Sequence, residues 1–478
     1  MIDDVSFLEQ CRQLIGAKYV LSTEEDKDPY LTDWSKRYRG DALAVLRPGN
    51  VYEVSAIVAW CFKNKMAIVT QGGNTGLCGG SVPNDQYKSV VISTSRLNKI
   101  RQVDVENSTI TLEAGVILSN AQEAAKKSGK LFPLSLAAEG SCTIGGNLAT
   151  NAGGIQVLRY GNMRDLTLGL EVVTPTGEIF DGLRGLRKDN TGYSLKDIYI
   201  GSEGTLGLIT ATTLKLFPLP NSKATALVGL SDIQSCLQLI EFVRGICDAD
   251  LTAFELISTR ALRLLPEQIK SLGEIINTPS GWVVLLELSS MEGQEQSNAQ
   301  LESALEITLN KGLISNAVIA NSLQQSKELW SIRESIPEAQ LTLGTIIKHD
   351  ISLPISALPS FINETKIQLT QLWDNMEPIV FGHVGDGNLH YNLAPISQEY
   401  SLDIESKRKD INKLVHDQVY KYSGSFSAEH GIGQSKLEEL PLRKSSVEME
   451  LMHNIKRALD PTGIMNPGKI LKANLKSE

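Results

Sequence analysis

The sequence predicts an α+β protein of two domains, and three observations predict it. Helical and strand periodicities interleave along all 478 residues. Pro218-Leu219-Pro220-Asn221-Ser222 places a rigid, polar boundary near the middle. The halves also differ in chemistry: His349, His383, His390, His416, His430 and His453 all follow residue 348, whereas Cys11, Cys61, Cys78, Cys142, Cys236 and Cys247 all precede residue 248.

Residues 5–17 and 51–65 read as helices; in the second, Val51, Val54, Ile57, Val58 and Cys61 recur three or four apart. Residues 67–70 form a short strand that runs into the glycine-rich stretch from Gln71 to Gly80. Strands follow at 89–94 and 99–114, the latter an antiparallel ribbon with alternating Ile110 and Leu112. Residues 118–128 are helical and stop at Gly129. Strands at 167–174 and 178–181 flank the turn Pro175-Thr176-Gly177, and the cluster from Gly201 to Gly207 leads into a strand at 208–216. Beyond the boundary, helices at 232–248, 293–311 and 402–421 alternate with strands at 225–230, 281–288 and 378–382. A last helix spans about 445–459.

With 42% hydrophobic and 21% charged residues, the chain has the composition of a globular protein with a sizeable core. Lys and Arg number 46 against 55 Asp and Glu, a net charge of −9. An acidic chain without a Lys/Arg-rich run is not expected to bind nucleic acid, which needs clustered positive charge. Met1-Ile2-Asp3-Asp4 has none of the basic or apolar marks of a targeting segment, and no run of 18 apolar residues is present to span a membrane. Six cysteines without a CxxC pair argue against a disulfide framework, an iron–sulfur site or a Cys-type zinc site. A cytoplasmic or organelle-matrix location is expected.

The first half is distinguished by its glycines. Clusters around 72–80, 140–154 and 201–207 allow positive φ and a close backbone approach to a ligand. Successive amides in such turns make anion-binding nests suited to a pyrophosphate. Tight turns alone also use glycine, but three clusters rich in Ser, Thr and Asn favour ligand binding. Neither a GxGxxG opening a helix nor a P-loop is present, which disfavours NAD and ATP.

GGNTGLCGGS at 72–81, GGNLATNAGG at 145–154, KDNTGY at 188–193 and GSEGTLGLI at 201–209 resemble the FAD-binding domain of the vanillyl-alcohol-oxidase type. Over about residues 40–470 the chain is most similar to the D-2-hydroxyglutarate dehydrogenase group of FAD-linked 2-hydroxy-acid dehydrogenases. The resemblance implies a two-subdomain FAD-binding domain over 1–219, an α+β substrate cap with an antiparallel sheet over 220–440, and a helical segment, 441–478, that returns to the FAD domain. It implies pyrophosphate contacts from Gly72, Gly73, Asn74, Thr75, Gly76, Gly79, Gly80 and Ser81. Further FAD contacts are implied for Gly140, Ser141, Thr143, Gly145, Gly146, Asn147, Thr150, Asn151, Gly153, Gly154, Tyr160 and Gly161. Glu203, Gly204, Gly207, Ile209 and Asn466 complete that set. The FAD is expected to be non-covalent: the first half has no histidine, and attachment through Cys142, as in certain relatives, is not a feature of this group.

The second half carries Phe381-Gly382-His383-Val384-Gly385-Asp386-Gly387-Asn388-Leu389-His390-Tyr391-Asn392. If Gly385–Asn388 turns a hairpin, His383 and His390 fall opposite each other on one face. With Glu429, from Ser427-Ala428-Glu429-His430-Gly431-Ile432-Gly433, they would make an open His₂Glu metal site. Spacing leaves the plainer alternative open: hydrogen-bonding strand histidines, a turn residue in Asp386 and a polar loop at Glu429-His430. On the residues alone, Arg333 also reads as a surface charge or a salt-bridging partner on a helix, and Lys348 as an exposed strand residue. The resemblance implies a divalent metal, typically zinc, on His383, His390 and Glu429. It also implies His430 as general base and substrate contact, Arg333 and Lys348 on the substrate's distal carboxylate, and Asn392 near its hydroxy-acid end. Pro337 departs from the family, which has a Thr four residues after the Arg, and it offers no side-chain donor.

The implied activity is FAD-dependent oxidation of a D-2-hydroxy acid, first D-2-hydroxyglutarate to 2-oxoglutarate, with hydride passing to flavin N5 and His430 taking the hydroxyl proton. A D-lactate or glycolate-type flavin dehydrogenase is the alternative, and a non-catalytic flavin-binding subunit of a larger complex is the reading from another class. An external electron acceptor is required: electron-transfer flavoprotein, a quinone or another soluble acceptor. A homodimer is left open.

Overall fold

The computed structural model describes residues 2–247, 250–267, 269 and 280–472. The chain divides into two compact units. Met1–Gly153, Gly161–Pro218 and His430–Glu478 form the first; Gly154–Tyr160 and Leu219–Glu429 form the second. The second unit thus ends at Glu429, where residue 440 was expected, and takes in a short stretch, 154–160, from the N-terminal half.

In the first unit a four-stranded sheet runs Val20–Leu21, Val45–Leu46, Ser89–Ser93, Ala67–Gln71, parallel except at its first pair. The helix Val51–Asn64 starts where the Asn50 side chain accepts the Glu53 N–H, and Lys65 ends it in the left-handed region. Its stripe of Val54, Ile57, Val58 and Cys61 is buried in the same core as Ile68, Val90 and Ile92 of the sheet. The expected ribbon is the pair Ile100–Asp104 and Thr109–Glu113, extended by Leu208–Lys215, Thr167–Val173 and Ile179–Gly182 into a five-stranded antiparallel sheet. The chain returns to this unit after Glu429. Ile464 and Met465 enter the core, and Ile68 donates to Ile464 O and accepts from the Asn466 N–H, both at 2.7 Å.

The second unit is built on a seven-stranded antiparallel sheet. Its order is Ile314–Ile319, Ser222–Leu230, Trp282–Ser290, Leu251–Ser258, Met376–Gly382, Asn388–Pro395, Asp350–Ser352. Both faces are covered. On one, Ala226, Val228, Phe254, Leu286 and Tyr391 meet apolar residues of helices Ser235–Cys247, Gln294–Asn310, Leu358–Leu372 and Arg408–Lys421. On the other, Leu227, Ile257, Leu285, Ile379 and Phe381 meet Leu329 and Ile332 of the helix Leu323–Glu334. The two-residue period of a strand sends Glu255, His390 and Asn392 to this second face, beside Phe381. The helix expected at 402–421 breaks at Lys407 into Ser401–Ser406 and Arg408–Lys421, and residue 248 of the 232–248 helix lies outside the described residues. No helix of the described residues is long and apolar enough to cross a membrane.

Candidate functional site

A cleft of about 500 Å³ in the first unit is lined by Gly72, Gly73, Ser95, Asn98, Ile100, Gly115, Val116, Ile117, Asn120, Ser141 and Thr143. The strand Ala67–Gln71 delivers Gly72 and Gly73 to its wall. Neither Gly73 nor Gly115 has room for a side chain: a Cβ would lie 2.2 Å from Ser141 O at the first and 2.0 Å from Thr94 O at the second. Glycine at these two positions therefore lets neighbouring backbone pack closely against the wall. Thr143 caps the helix Ile144–Ala149 by accepting the Gly146 N–H. Asn74 and Ser81 maintain the loop: Asn74 donates to Thr32 O and accepts the Ser81 hydroxyl, each at 2.8 Å. Asn151, at φ +50°, accepts the Arg164 N–H, and Thr150 donates to Gly146 O. Gly154 and Tyr160 belong to the second unit, where the Gly154 N–H donates to Glu429 Oε1 at 2.9 Å. Ser95, Asn98 and Asn120 were not anticipated, because they stand singly outside the glycine clusters.

Glu203 binds the backbone of the returning segment. Buried and held at φ +50°, it accepts the Ile432 and Gly433 N–H groups at 2.7 and 2.8 Å. Burial raises its pKa, against the opposing pull of those N–H groups and of Lys436 and Lys469. Asn466 donates to Gly80 O and Glu203 O. Both residues tie the returning segment to the glycine loops.

In the second unit, Phe381 stands opposite His390 and Val380 opposite Tyr391. His383 lies beyond the ladder, which corrects the expected cross-strand pairing of the two histidines. The connection is longer than a tight hairpin turn: Gly382 sits at φ +150°, a 3₁₀ turn spans Val384–Asp386, and Gly387 closes it at φ +88°. Asp386 accepts the Asn388 N–H at 3.0 Å, so its turn role is real. The longer turn still brings the rings to 6.0 Å between centroids. Ligand atoms of His383, His390 and Glu429 all lie within 4.8 Å of one another, with His383 Nε2 3.9 Å from Glu429 Oε1. Two imidazole nitrogens and a carboxylate oxygen so placed suit one divalent cation with an open coordination position.

Two buried carboxylates support this set, and the sequence reading marked neither. Glu255 accepts from Arg333 Nε at 2.7 Å and from His383 Nδ1 at 2.5 Å. Burial alone would push Glu255 up and His383 down. Their mutual attraction, with Arg333 beside Glu255, outweighs it, so Glu255 lies below the usual carboxylate range and His383 above the usual imidazole one. Asp350 pairs across the ladder with His390 and accepts the Glu429 N–H at 2.8 Å and Asn388 Nδ2–H at 3.0 Å. The available signal was a Glu within Leu251–Ser258, a strand buried at every position.

Arg333 is buried and is the salt-bridging partner of Glu255 instead of a surface charge; its guanidinium lies 4.8 Å over the Phe381 ring, which is also 4.9 Å from His390. Asn392 accepts the His349 N–H and donates to Gln340 Oε1. Lys348 is exposed between buried Ile347 and His349, and Pro337 is exposed on the short helix Ile336–Ala339. His430 follows Glu429 directly and opens the returning stretch of the first unit.

Comparison with known proteins fits these features. Residues 42–182 match the FAD binding domain family, and residues 219–470 match the C-terminal domain of FAD linked oxidases. The fold is similar to that of p-cresol methylhydroxylase (TM-score 0.77, 18% identity, covering 99% of this chain and 98% of that one). It is also similar to alkyldihydroxyacetonephosphate synthase (0.76, 18%, 97% and 84%). Fold and domains together define an FAD-linked oxidoreductase with the vanillyl-alcohol-oxidase type of flavin domain. In sequence, the chain is 37% identical over 474 residues to the mitochondrial D-2-hydroxyglutarate dehydrogenase of Arabidopsis thaliana, covering 99% of this chain and 82% of the relative. The Xanthomonas citri pv. viticola D-2-hydroxyglutarate dehydrogenase is also 37% identical (97% and 96% covered), as is a putative mitochondrial D-lactate dehydrogenase of Schizosaccharomyces pombe (93% and 84%). The chain belongs to the FAD-linked D-2-hydroxyglutarate/D-lactate dehydrogenase family.

Proposed function

We propose that the protein oxidises a D-2-hydroxy acid, D-2-hydroxyglutarate first, to the 2-oxo acid. The observation that carries this reading is the set gathered in the second unit: buried Arg333, suited to a carboxylate, beside the cluster of buried His383 with half-buried His390 and Glu429, suited to a metal-chelating hydroxy acid. The glycine-lined cleft of the first unit, where added Cβ atoms would strike backbone, fits non-covalent FAD. When bound, FAD supplies the two-electron acceptor, and a divalent cation, zinc by its nitrogen and oxygen donors, supplies a Lewis acid that lowers the hydroxyl pKa.

His383, His390 and Glu429 would hold the cation. His430 takes the hydroxyl proton; its Cα is only about 3.8 Å from that of Glu429, since the two are consecutive. Arg333 commits its Nε to Glu255 and offers its Nη groups to the substrate's distal carboxylate. Lys348 adds a second positive charge, and Asn392 contributes the lone pair or N–H left after its two internal bonds. Electrons leave to an external acceptor, and a reducing cytoplasm or organelle matrix suits six buried cysteines that form no disulfide.

Pro337 favours a second reading, a dehydrogenase of a shorter acid such as D-lactate, because no hydroxyl donor is supplied there for a five-carbon diacid. Steady-state kinetics on a panel of D-2-hydroxy acids tests the choice. The highest kcat/KM for D-2-hydroxyglutarate supports the first reading, and the highest for D-lactate supports the second.

A further inference from the structure

We propose that Glu255 is a positioning residue that fixes which nitrogen of His383 can bind a metal while it holds Arg333 for the substrate. The inference rests on the metal and substrate roles proposed above. Glu255 is 0% exposed and midway along a fully buried strand, with one oxygen on Arg333 Nε and the other on His383 Nδ1. An ionised carboxylate only accepts hydrogen bonds, so Nδ1 carries the proton and Nε2, the nitrogen on the Glu429 side, is the ligand atom. One side chain thereby sets both the cation for the substrate and the tautomer of the metal ligand.

Glu255→Gln separates these duties. The amide keeps the shape but replaces one oxygen with an NH₂ group. Arg333 Nε–H cannot become an acceptor, so the amide oxygen must face Arg333 and the NH₂ must face His383. His383 can then satisfy it only by accepting at Nδ1, which moves the ring proton to Nε2 and blocks the ligand atom. Glu255→Gln should keep Arg333 in place and disable His383.

The test measures zinc affinity of the FAD-loaded protein by competition with a chelating dye, in wild type, Glu255→Gln and His383→Ala. Glutarate affinity of the metal-free protein reports on Arg333. Glu255→Gln should weaken zinc about 10- to 100-fold, the usual cost of losing such a supporting partner. Glutarate affinity should not weaken, because the amide oxygen still accepts from Arg333 Nε and the guanidinium loses a competing negative charge, and excess zinc should restore turnover. Weaker zinc in His383→Ala with unchanged zinc in Glu255→Gln overturns the inference and leaves the metal site standing; unchanged zinc in both overturns the metal site as well. If Glu255→Gln does not fold, wild-type protein loaded with NMR-active cadmium and labelled histidine decides. Cadmium coupled to His383 Nε2, with a slowly exchanging proton on Nδ1, supports the inference, and coupling to Nδ1 overturns it.

Discussion

Glu203→Gln probes how the segment after His430 is held. The carboxylate is 9% exposed and accepts both the Ile432 and Gly433 N–H groups. Packing leaves little slack, since a Cβ on Gly431 would come within 2.6 Å of Glu203 Oε1. Gln can keep one of the two bonds and must set its NH₂ against the other N–H. A backbone bond to a charged group is worth about 1.5–3 kcal/mol. Burying a neutral amide is cheaper than burying the carboxylate, whose raised pKa records that penalty. Allowing for this offset, the net loss should be about 1–2 kcal/mol, enough for roughly tenfold easier local opening. Hydrogen exchange at the Ile432 and Gly433 amides of the FAD-loaded protein reads it directly. Faster exchange there, with kcat lowered and FAD still bound, is expected because His430 begins the same segment. Unchanged protection at both amides would refute the anchoring role.

Three further outcomes follow from the same geometry. His430→Ala should lower kcat by about 10²–10⁴, the usual contribution of a general base, with FAD retained; near-normal turnover would remove the assignment. Gly73→Ala should weaken FAD binding in equilibrium titration, because its Cβ meets Ser141 O at 2.2 Å; wild-type affinity would contradict the cleft assignment. Burial, against the attraction of Glu203, pulls Lys469 from 10.5 down to about 8. In flavin-free protein the unfolded chain then binds the extra proton between those values, so this group's penalty is full below pH 8 and disappears as pH rises through the window. Lys469→Met should therefore stabilise by up to about 3 kcal/mol at pH 7 and much less near pH 11, read by urea unfolding; equal effects at both would contradict it.

Local pattern made the helix Val51–Asn64 and the ribbon at 100–113 legible, because each shows its buried face through spacing. The metal candidates were nameable from two short motifs and the family likeness. Their register was not, since nothing in the residue order separates a tight hairpin from Gly382 and a 3₁₀ turn. Glu255 stayed hidden because its strand is buried on both faces and shows no alternation; its partners lie 78 and 128 residues away. Glu203 was named through the family likeness as a cofactor contact, and nothing in the residue order showed that its carboxylate binds N–H groups more than 200 positions later. In both cases a charge in an apolar or glycine-rich setting marked a long-range partner that sequence order conceals.

Anaerobic addition of D-2-hydroxyglutarate to FAD- and zinc-loaded protein tests the central assignment most directly. The yellow absorbance should bleach mole for mole with added substrate as 2-oxoglutarate forms. Flavin that stays yellow with D-2-hydroxyglutarate, and equally with D-lactate and D-malate, would contradict it.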